Sequence, residues 1–386
     1  MKASRKVGLI KPSAIRKMLE LSAGMENVVH MEQGEPNFNT PSHILAAAQA
    51  AMEDGYTHYT AVSGTRELRQ AIAEKLEKEN GIDVDPRTEV TVTSGSQEAM
   101  FSAALGFLDP GDEALVISPH YPAHFEDPLL AEANPVTIPT SAENNYRIEM
   151  EKLEDKITDK TKMIWISNPS NPTGHVYPRE DLEILADVAK RHDLIVLVDE
   201  IYEKLVYDDV KHVSLASISG MESRTITVNG FSKAYAMTGW RIGYMAAEKK
   251  LSSTLRTLHY YSTLCPNIIS QKAAFAALTG PQDCVREMVA EYDRRRGLVT
   301  SELRKLRVCS CPIPKGAFYV FPDFSKLEKN DETLAAEILE KARVVTVPGS
   351  GFGKAGEGRL RISYSPEYEQ VEEGIKRLVS YIESKT

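Results

Sequence analysis

The stretch Leu194-Ile195-Val196-Leu197-Val198-Asp199-Glu200-Ile201-Tyr202 is an unbroken apolar run that ends in two carboxylates, an isoleucine and a phenol. A run of this length without polar alternation is typical of a strand that is covered on both faces, as in a parallel sheet. Polar groups directly after such a strand lie where open α/β folds bind their ligands. This segment therefore predicts both a fold class and the position of a site.

Strand and helix predictions alternate on both sides of this segment. Besides 194–198, the predicted strands are 90–93, 114–118, 163–167 and 225–229, and the predicted helices are 43–53, 65–79, 97–107 and 180–191. Strands that alternate with helices indicate a mostly parallel sheet joined by right-handed crossovers. We therefore expect an α/β fold with helices on both faces of the sheet.

The pattern changes after about residue 281. The elements predicted there are a long charged helix at 282–307, strands at 317–321, 343–347 and 359–363, and a last helix at 366–384. This order predicts a smaller α+β domain. We divide the chain into an N-terminal arm at 1–40 that forms part of the small domain, a large domain at 41–281 and a small C-terminal domain at 282–386.

Composition and charge exclude several classes of protein. The 386 residues are 42% hydrophobic and 26% charged, which is typical of a globular chain and of neither a disordered nor a membrane protein. The 46 basic and 55 acidic residues give a net charge of −9, which argues against nucleic acid as a partner. Because no apolar run reaches the length of a membrane span and the N-terminus lacks a signal-peptide core, we expect no membrane partner and a cytoplasmic location.

The cysteines predict neither a disulfide scaffold nor a metal site. The chain has four, and Cys309 and Cys311 are separated by a single residue, which is not the spacing of common zinc knuckles. We interpret all four as free thiols and predict no metal.

Five loops follow the predicted strands and should open onto one crevice. They are Ser94-Gly95-Ser96-Gln97, Pro119-His120-Tyr121, 168–174, 199–202 and Gly230-Phe231-Ser232-Lys233. Together they offer small hydroxyls, amides at a helix start, an aromatic face, a carboxylate, a phenol and an amine. This inventory fits pyridoxal phosphate, an aldehyde that carries a ring nitrogen and a phosphate.

Lys233 and Asp199 are the main candidates for chemistry. The segment 230–240 contains no charge other than Lys233, and a desolvated ammonium loses pKa and becomes a nucleophile, so Lys233 is a candidate Schiff-base lysine. A solvated surface lysine is the alternative. Asp199 ends the most apolar strand, where it could pair with a protonated pyridine nitrogen, and a helix cap is its alternative.

The remaining candidates each have a plainer alternative. Tyr202 and Asn171 could reach the ring oxygen of the cofactor, or they could serve as core packing and an Asx turn. The amides of the 94–97 turn could hold a phosphate, or the turn could be an ordinary N-cap. Arg241 needs an anion, either a phosphate or a structural carboxylate.

Two further choices concern aromatic and basic side chains. Tyr121 could stack on the ring or simply pack a turn. Arg359 and Arg361 share a face of their predicted strand, and either could bind a substrate carboxylate. Residues 351–356 have the glycine spacing of a dinucleotide fingerprint, but they lead into a strand and not a helix, so we predict a flexible loop.

Four motifs together resemble the class I pyridoxal-phosphate aminotransferases of fold type I. They are Asn168-Pro169-Ser170-Asn171-Pro172-Thr173-Gly174, Asp199-Glu200-Ile201-Tyr202, the segment 232–241 and Arg359-Leu360-Arg361-Ile362-Ser363. The resemblance includes Gly34-Glu35-Pro36 and covers nearly the whole chain. It is strongest to the microbial and archaeal aspartate and aromatic aminotransferases.

The resemblance implies a role for each candidate. Lys233 would be the Schiff-base lysine and proton carrier, Asp199 the partner of the pyridine nitrogen, and Tyr202 with Asn171 the ligands of the ring oxygen. The cofactor phosphate would be held by Gly95, Ser96, Gln97, Ser232 and Arg241. Tyr121 would stack on the ring, and Arg361, Asn171 and Gly34 would contact the substrate carboxylate.

The resemblance also implies a homodimer. Tyr59 is similar to the tyrosine that reaches the phosphate of the neighbouring subunit, although a core tyrosine is the alternative. The chain departs from some relatives in having Gly230 where they have a hydroxyl, and from many in having Tyr121 where they have a tryptophan.

The expected activity is transfer of the amino group of aspartate or an aromatic L-amino acid to 2-oxoglutarate by a ping-pong mechanism, within amino acid metabolism and biosynthesis. A carbon–sulfur lyase of the cystathionine β-lyase type is the enzymatic alternative, because it needs the same lysine and carboxylate. A regulator that keeps such a module as a sensor is the non-enzymatic alternative.

Overall fold

The computed structural model describes residues 2–10 and 12–386, which form twelve strands and twelve α helices. The strands are β1 (Val29–His30), β2 (Val90–Thr93), β3 (Glu113–Ser118), β4 (Asn134–Pro139), β5 (Thr161–Ser167), β6 (Ile195–Asp199), β7 (Thr225–Gly230), β8 (Gly243–Ala246), β9 (Tyr319–Val320), β10 (Val344–Val345), β11 (Val347–Pro348) and β12 (Leu360–Ser363). The helices are α1 (Ala14–Ser22), α2 (Ser42–Glu53), α3 (Arg66–Lys75), α4 (Ser96–Phe107), α5 (Pro122–Leu130), α6 (Met150–Glu154), α7 (Arg179–Arg191), α8 (Lys249–Thr263), α9 (Ile268–Thr279), α10 (Asp283–Leu303), α11 (Asp331–Glu337) and α12 (Tyr368–Ser384).

The central sheet has seven strands in the order β2-β8-β7-β6-β5-β3-β4. All neighbouring pairs are parallel except those of β8, which runs antiparallel to both β2 and β7. Both faces are covered: Leu197 packs in one core cluster with residues of α4 and α8, while its neighbours Val196 and Val198 pack in another with residues of α7. The mostly parallel α/β sheet with helices on both faces is confirmed.

A smaller sheet lies in the C-terminal part of the chain. β12 is its middle strand, antiparallel to β11 and to β9. β1, from the N-terminal region, pairs in parallel with β10 through Val29 opposite Val344. Helices α10 and α12 pack together beside these strands. The domain limits at 40 and 281 stay a prediction.

Several elements differ from the sequence-based expectation. The helix expected at 65–79 changes after Lys75 into a π-helical turn at Leu76–Asn80, which ends at Gly81 with φ +67°. The strand expected at 343–347 is two short strands on either side of Thr346, because the chain leaves β10 to pair with β12. The loop expected at 351–356 contains two short 3₁₀ turns, and Phe352 within it is fully buried.

No helix in the described parts of the chain is both long and apolar enough to span a bilayer.

Candidate active site

The carboxyl ends of β5, β6 and β7 meet the small sheet and the N-terminal region at one cleft. From one side, Lys233 Nζ donates a hydrogen bond to the carbonyl oxygen of Gly34. From the other, Arg361 Nη1 on β12 donates to Asn171 Oδ1 at 3.2 Å. These two bonds involve four segments that are far apart in sequence, so the cleft exists only in the folded chain.

Lys233 lies in this cleft near two aromatic rings. Its Nζ is 6.0 Å from the ring centroid of Tyr202 and 5.9 Å from that of Phe318. Burial lowers the pKa of the ammonium to about 8, against opposing charges from Glu35 and Asp199 and with help from the positive charge of Arg361. A substantial fraction of the amine is therefore neutral and nucleophilic near pH 8.

Asp199 ends β6 with 5% of its surface exposed. Its Oδ1 accepts a hydrogen bond from the Ile201 amide at 3.2 Å. Its Oδ2 is 3.6 Å from Nε2 of His124, a histidine that is 1% exposed. The carboxylate is thus oriented through one oxygen, and the other is free to meet a further donor.

His124 is a site residue that sequence reasoning missed. It lies on α5 between the ring of Tyr121, at 5.9 Å between centroids, and that of Trp165, at 6.0 Å. Neither ring nitrogen has a hydrogen-bond partner among the described residues. The signal available was its position one turn after Tyr121, in the segment that follows β3.

Tyr121 itself lies at the site. Burial and then the charge of Asp199 raise the pKa of its phenol to about 12, which places the ring within electrostatic reach of that carboxylate. The ring of Tyr121 also makes an edge-to-face contact with the ring of His124. The phenol therefore stays protonated at physiological pH.

Tyr202 is buried and bonds a second tyrosine that the sequence did not reveal. Its hydroxyl is 2.8 Å from that of Tyr319 on β9, and burial raises the pKa of both phenols. Tyr319 also meets the N-terminal region, because a Cβ on Gly34 would lie only 2.4 Å from its hydroxyl. Close approach therefore requires glycine at position 34.

Arg361 is 1% exposed and is the arginine that faces the cleft. Besides Asn171, its guanidinium donates to the carbonyl of Glu32, and it lies 4.5 Å from the ring of Tyr319 and 5.0 Å from that of Phe352. Its Nε has no partner among the described residues. Arg359 points elsewhere, to Asp323 at 3.0 Å.

The start of α4 is shaped to hold an anion. Gly95 has φ +88°, and a Cβ there would lie 2.6 Å from Arg241 Nη2. The N-cap residue Gly95 makes no side-chain cap bond, so the first amides of the helix have no acceptor from a cap. Ser94, Arg241 and Glu35 are among the residues that line an adjoining cleft of about 610 Å³.

Three further residues were expected to bind the cofactor, and the structure places only some of their groups at the cleft. Ser232 is buried directly before Lys233. The side chain of Gln97 turns away to Asp127, with Nε2 donating to Oδ2 at 3.2 Å, so only its backbone amide can face an anion. Tyr59 is 84% exposed and is not part of the cleft of its own chain.

A cluster beside the site has the composition of a metal site. Glu200, Glu203 and His212 bring ligand atoms within 4.8 Å of one another. Lys75 already donates to Glu203, and the pKa of that carboxyl is lowered to about 2 because the ammonium and the imidazole of His212 outweigh its burial. One of the three possible ligands is thus already paired with an ammonium, and His212 Nε2 lies 3.3 Å from a carboxylate oxygen of Glu200.

A family model described as aminotransferase class I and II matches residues 26–378. The chain is 44% identical to an aspartate aminotransferase of Pyrococcus abyssi, over 100% of this chain and 99% of that protein. It is 42% identical, over the same shares, to aromatic-amino-acid aminotransferase 2 of Thermococcus litoralis. The crystal structure of an aromatic aminotransferase from Pyrococcus horikoshii superposes with a TM-score of 0.91 at 43% identity, covering 96% of this chain and 99% of that one.

Proposed function

Because the chain belongs to the aminotransferase class I and II family and is an aminotransferase, we propose that it uses pyridoxal phosphate as its cofactor. Its amino donor is aspartate or an aromatic L-amino acid, and its acceptor is a 2-oxo acid, 2-oxoglutarate. The named activities of the relatives support these donor classes. The observation that carries the proposal is the meeting of Lys233, Asn171 and Arg361 in one cleft.

The residues of the cleft fit this cofactor. The uncapped start of α4 and the guanidinium of Arg241 suit a phosphate dianion. The free oxygen of Asp199 suits a protonated ring nitrogen, and the Tyr202 hydroxyl with Asn171 suits the ring oxygen. Tyr121 beside Asp199 suits the face of an aromatic ring.

When bound, pyridoxal phosphate supplies an aldehyde that takes up amino groups and a ring that draws electrons from the bonds of the substrate α-carbon. The protein's own groups do the rest. Lys233 Nζ would accept the α-proton as a neutral amine, because burial has lowered its pKa to about 8, and would pass it to the former aldehyde carbon of the cofactor. Asp199 keeps the ring nitrogen protonated by holding a negative charge beside it.

Arg361 fixes the substrate. Its planar fork binds the α-carboxylate while Asn171 and the ring of Tyr319 hold the guanidinium in place. The same fork would bind the carboxylate of the incoming 2-oxo acid. Use of one carboxylate site by the two substrates in turn is consistent with ping-pong kinetics.

The same proposal includes a homodimer in which Tyr59 of the partner subunit reaches the phosphate. The 84% exposure of Tyr59 supports this, because its side chain is available to a partner subunit. Tyr261 is likewise 80% exposed. Four free cysteines agree with the reducing conditions of the cytoplasm, where we place the enzyme.

The test is an assay of the purified protein with aspartate or each aromatic amino acid and 2-oxoglutarate. We expect glutamate to form, and Lys233→Ala to abolish its formation. Lys376→Ala is the matched control, because this exposed lysine on α12 pairs only with Glu372. Pyruvate, ammonia and thiol released from cystathionine, without glutamate, would contradict amino transfer and favour the lyase.

A further inference from the structure

Glu98 lies in the first turn of α4, one residue past the amides that would hold the phosphate. Its carboxylate accepts hydrogen bonds from the Ser94 amide at 3.0 Å, from Ser102 Oγ at 3.2 Å and from Ser262 Oγ at 3.1 Å. The bond to Ser94 anchors the turn that leads into the helix. Glu98 therefore fixes the geometry of the turn from behind.

His259 on α8 completes this arrangement, with none of its side chain exposed. Its Nδ1 is 2.9 Å and 3.0 Å from the two oxygens of Glu98, and its Nε2 is 2.8 Å from the carbonyl oxygen of Val62. A carboxylate and a carbonyl both accept hydrogen bonds, so a ring between them donates from both nitrogens. A ring that donates from both nitrogens is cationic and balances the charge of Glu98.

This balance matters because of where Glu98 stands. An unpaired carboxylate in the first turn of α4 would repel a dianion bound at the same helix end and weaken the attraction of the helix amides. Paired with a cationic His259, the carboxylate keeps its hold on Ser94 without adding net charge. The turn is then held in place by Glu98 without a net negative charge that would repel the phosphate.

We infer that His259 is a positioning residue for cofactor binding, which acts through Glu98 to shape and neutralise the surroundings of the phosphate turn 94–97. This rests on the proposed function, since it assumes that the turn holds the phosphate of pyridoxal phosphate. Through Val62, the same ring also ties the turn to the loop that follows Tyr59.

The test compares two ligands that differ only in the phosphate. Full-length protein without cofactor is titrated with pyridoxal phosphate and with pyridoxal, and the visible absorbance of the bound aldehyde is followed. For His259→Gln we expect the Kd of pyridoxal phosphate to rise about tenfold or more, because loss of one member of a buried charge pair strands the other. The Kd of pyridoxal should stay near that of the wild type.

Two further variants isolate the cause. Glu98→Gln in the His259→Gln background removes the stranded charge and should recover most of the affinity for pyridoxal phosphate. Arg256→Gln is the matched control on the same helix, because Arg256 Nη2 holds the Thr88 carbonyl at 2.8 Å, at the opposite end of β2. Arg256→Gln should lower the melting temperature without changing the ratio of the Kd values of pyridoxal phosphate and pyridoxal.

The outcomes are distinct. If His259→Gln weakens both ligands equally, or neither, the inference is overturned while the proposed function stands. A wild type that binds neither ligand overturns the proposed function and this inference with it. Should His259→Gln fail to fold, nitrogen-15 NMR of the histidine side chains of the wild type decides, since the inference requires protons on both ring nitrogens of His259, and a singly protonated ring would refute it.

Discussion

Single residues decide whether the cleft can work, and Lys233 is the clearest case. The amine has neutral and charged forms in comparable amounts near pH 8 because burial opposes its charge. The neighbouring Tyr202, Tyr121 and Tyr319 are shifted the other way by the same burial and stay protonated. One environment therefore prepares a base and keeps three phenols as hydrogen-bond donors.

The lowered pKa of Lys233 predicts how cofactor capture depends on pH. Because only the neutral amine attacks an aldehyde, the rate at which cofactor-free protein captures pyridoxal phosphate should rise with pH and level off above about 8. Stopped-flow absorbance measures this rate. A rate that kept rising toward pH 10, the usual range for lysine, would show that the amine is not desolvated.

Gly34 offers a second test at the level of one residue. In Gly34→Ala the new Cβ would lie 2.4 Å from the Tyr319 hydroxyl and push it from Tyr202. We expect kcat/KM to fall about 10²-fold, the usual effect of a misplacement of about 1 Å in an active site. Gly8→Ala, with open space around its Cβ, is the control and should be neutral. Equal activity of the two variants would contradict the role of this contact.

Residues that follow predicted strands could be identified from the sequence, and others could not. Asp199 is the last residue of β6 and Lys233 lies three residues past the end of β7, so their meeting at one edge of the sheet follows from topology. Tyr319 and His124 enter from β9 and α5, and their contacts depend on packing between distant segments. For Tyr319 no local pattern indicates the contact, and for His124 the only signal is its position one turn after Tyr121. The roles of all these residues stay predictions until activity is measured.

At the level of elements, the start of α4 is the feature on which the proposed phosphate site depends. Gly95 has φ +88° and Gly111 has φ +93°, but only a Cβ at Gly95 would meet a neighbour, Arg241. Both alanine variants should lose about 1–3 kcal/mol in the free energy of unfolding, because both place an L-residue at a strongly positive φ. They therefore make a matched pair.

The pair should differ in cofactor binding. Gly95→Ala displaces the Arg241 guanidinium and should weaken binding of pyridoxal phosphate, whereas Gly111→Ala should leave it unchanged. Urea unfolding and a binding titration on each variant give both quantities. Equal affinity in the two variants would mean that Arg241 does not hold the phosphate.

Elements with a clear hydrophobic period were predicted well, and those without one were missed. The β2 limits match the expectation at 90–93, and α7 and β6 differ by only one residue at their ends. α5 and β4 were not predicted, because α5 has Pro128 in its interior and β4 contains two prolines, and proline disfavours both kinds of element. α9 is apolar over most of its length, so its sequence shows no amphipathic period.

For the whole molecule, the proposed homodimer predicts complementation between two defective variants. Lys233→Ala lacks the amine proposed to be catalytic, and Tyr59→Ala lacks the side chain proposed to serve the neighbouring site. In a mixed dimer, the intact Lys233 of one subunit faces the intact Tyr59 of the partner subunit. Dissociating the two variants and reassembling them together should therefore restore complete sites.

Activity at limiting pyridoxal phosphate measures this effect. The reassembled mixture should exceed the sum of the two variants treated separately. Activity equal to that sum, or a monomer by sedimentation, would contradict the proposed dimer. Wild type mixed with Lys233→Ala is the control and should give no gain per active subunit.

The cleft lies between segments that are distant in sequence and come together only when the chain folds. β1 pairs with β10, and Arg361 on β12 reaches Asn171 from the other end of the sequence. The mostly parallel sheet followed from local patterns, whereas these long-range contacts did not, because they depend on how the small sheet docks. The site is thus a property of the assembled molecule.

The most direct measurement is reduction of the protein with borohydride in the presence of pyridoxal phosphate, followed by digestion and peptide mass mapping. The account predicts one stoichiometric pyridoxyl modification, on the peptide that carries Lys233. A label spread over exposed lysines, or a Lys233 peptide of unmodified mass, would contradict it.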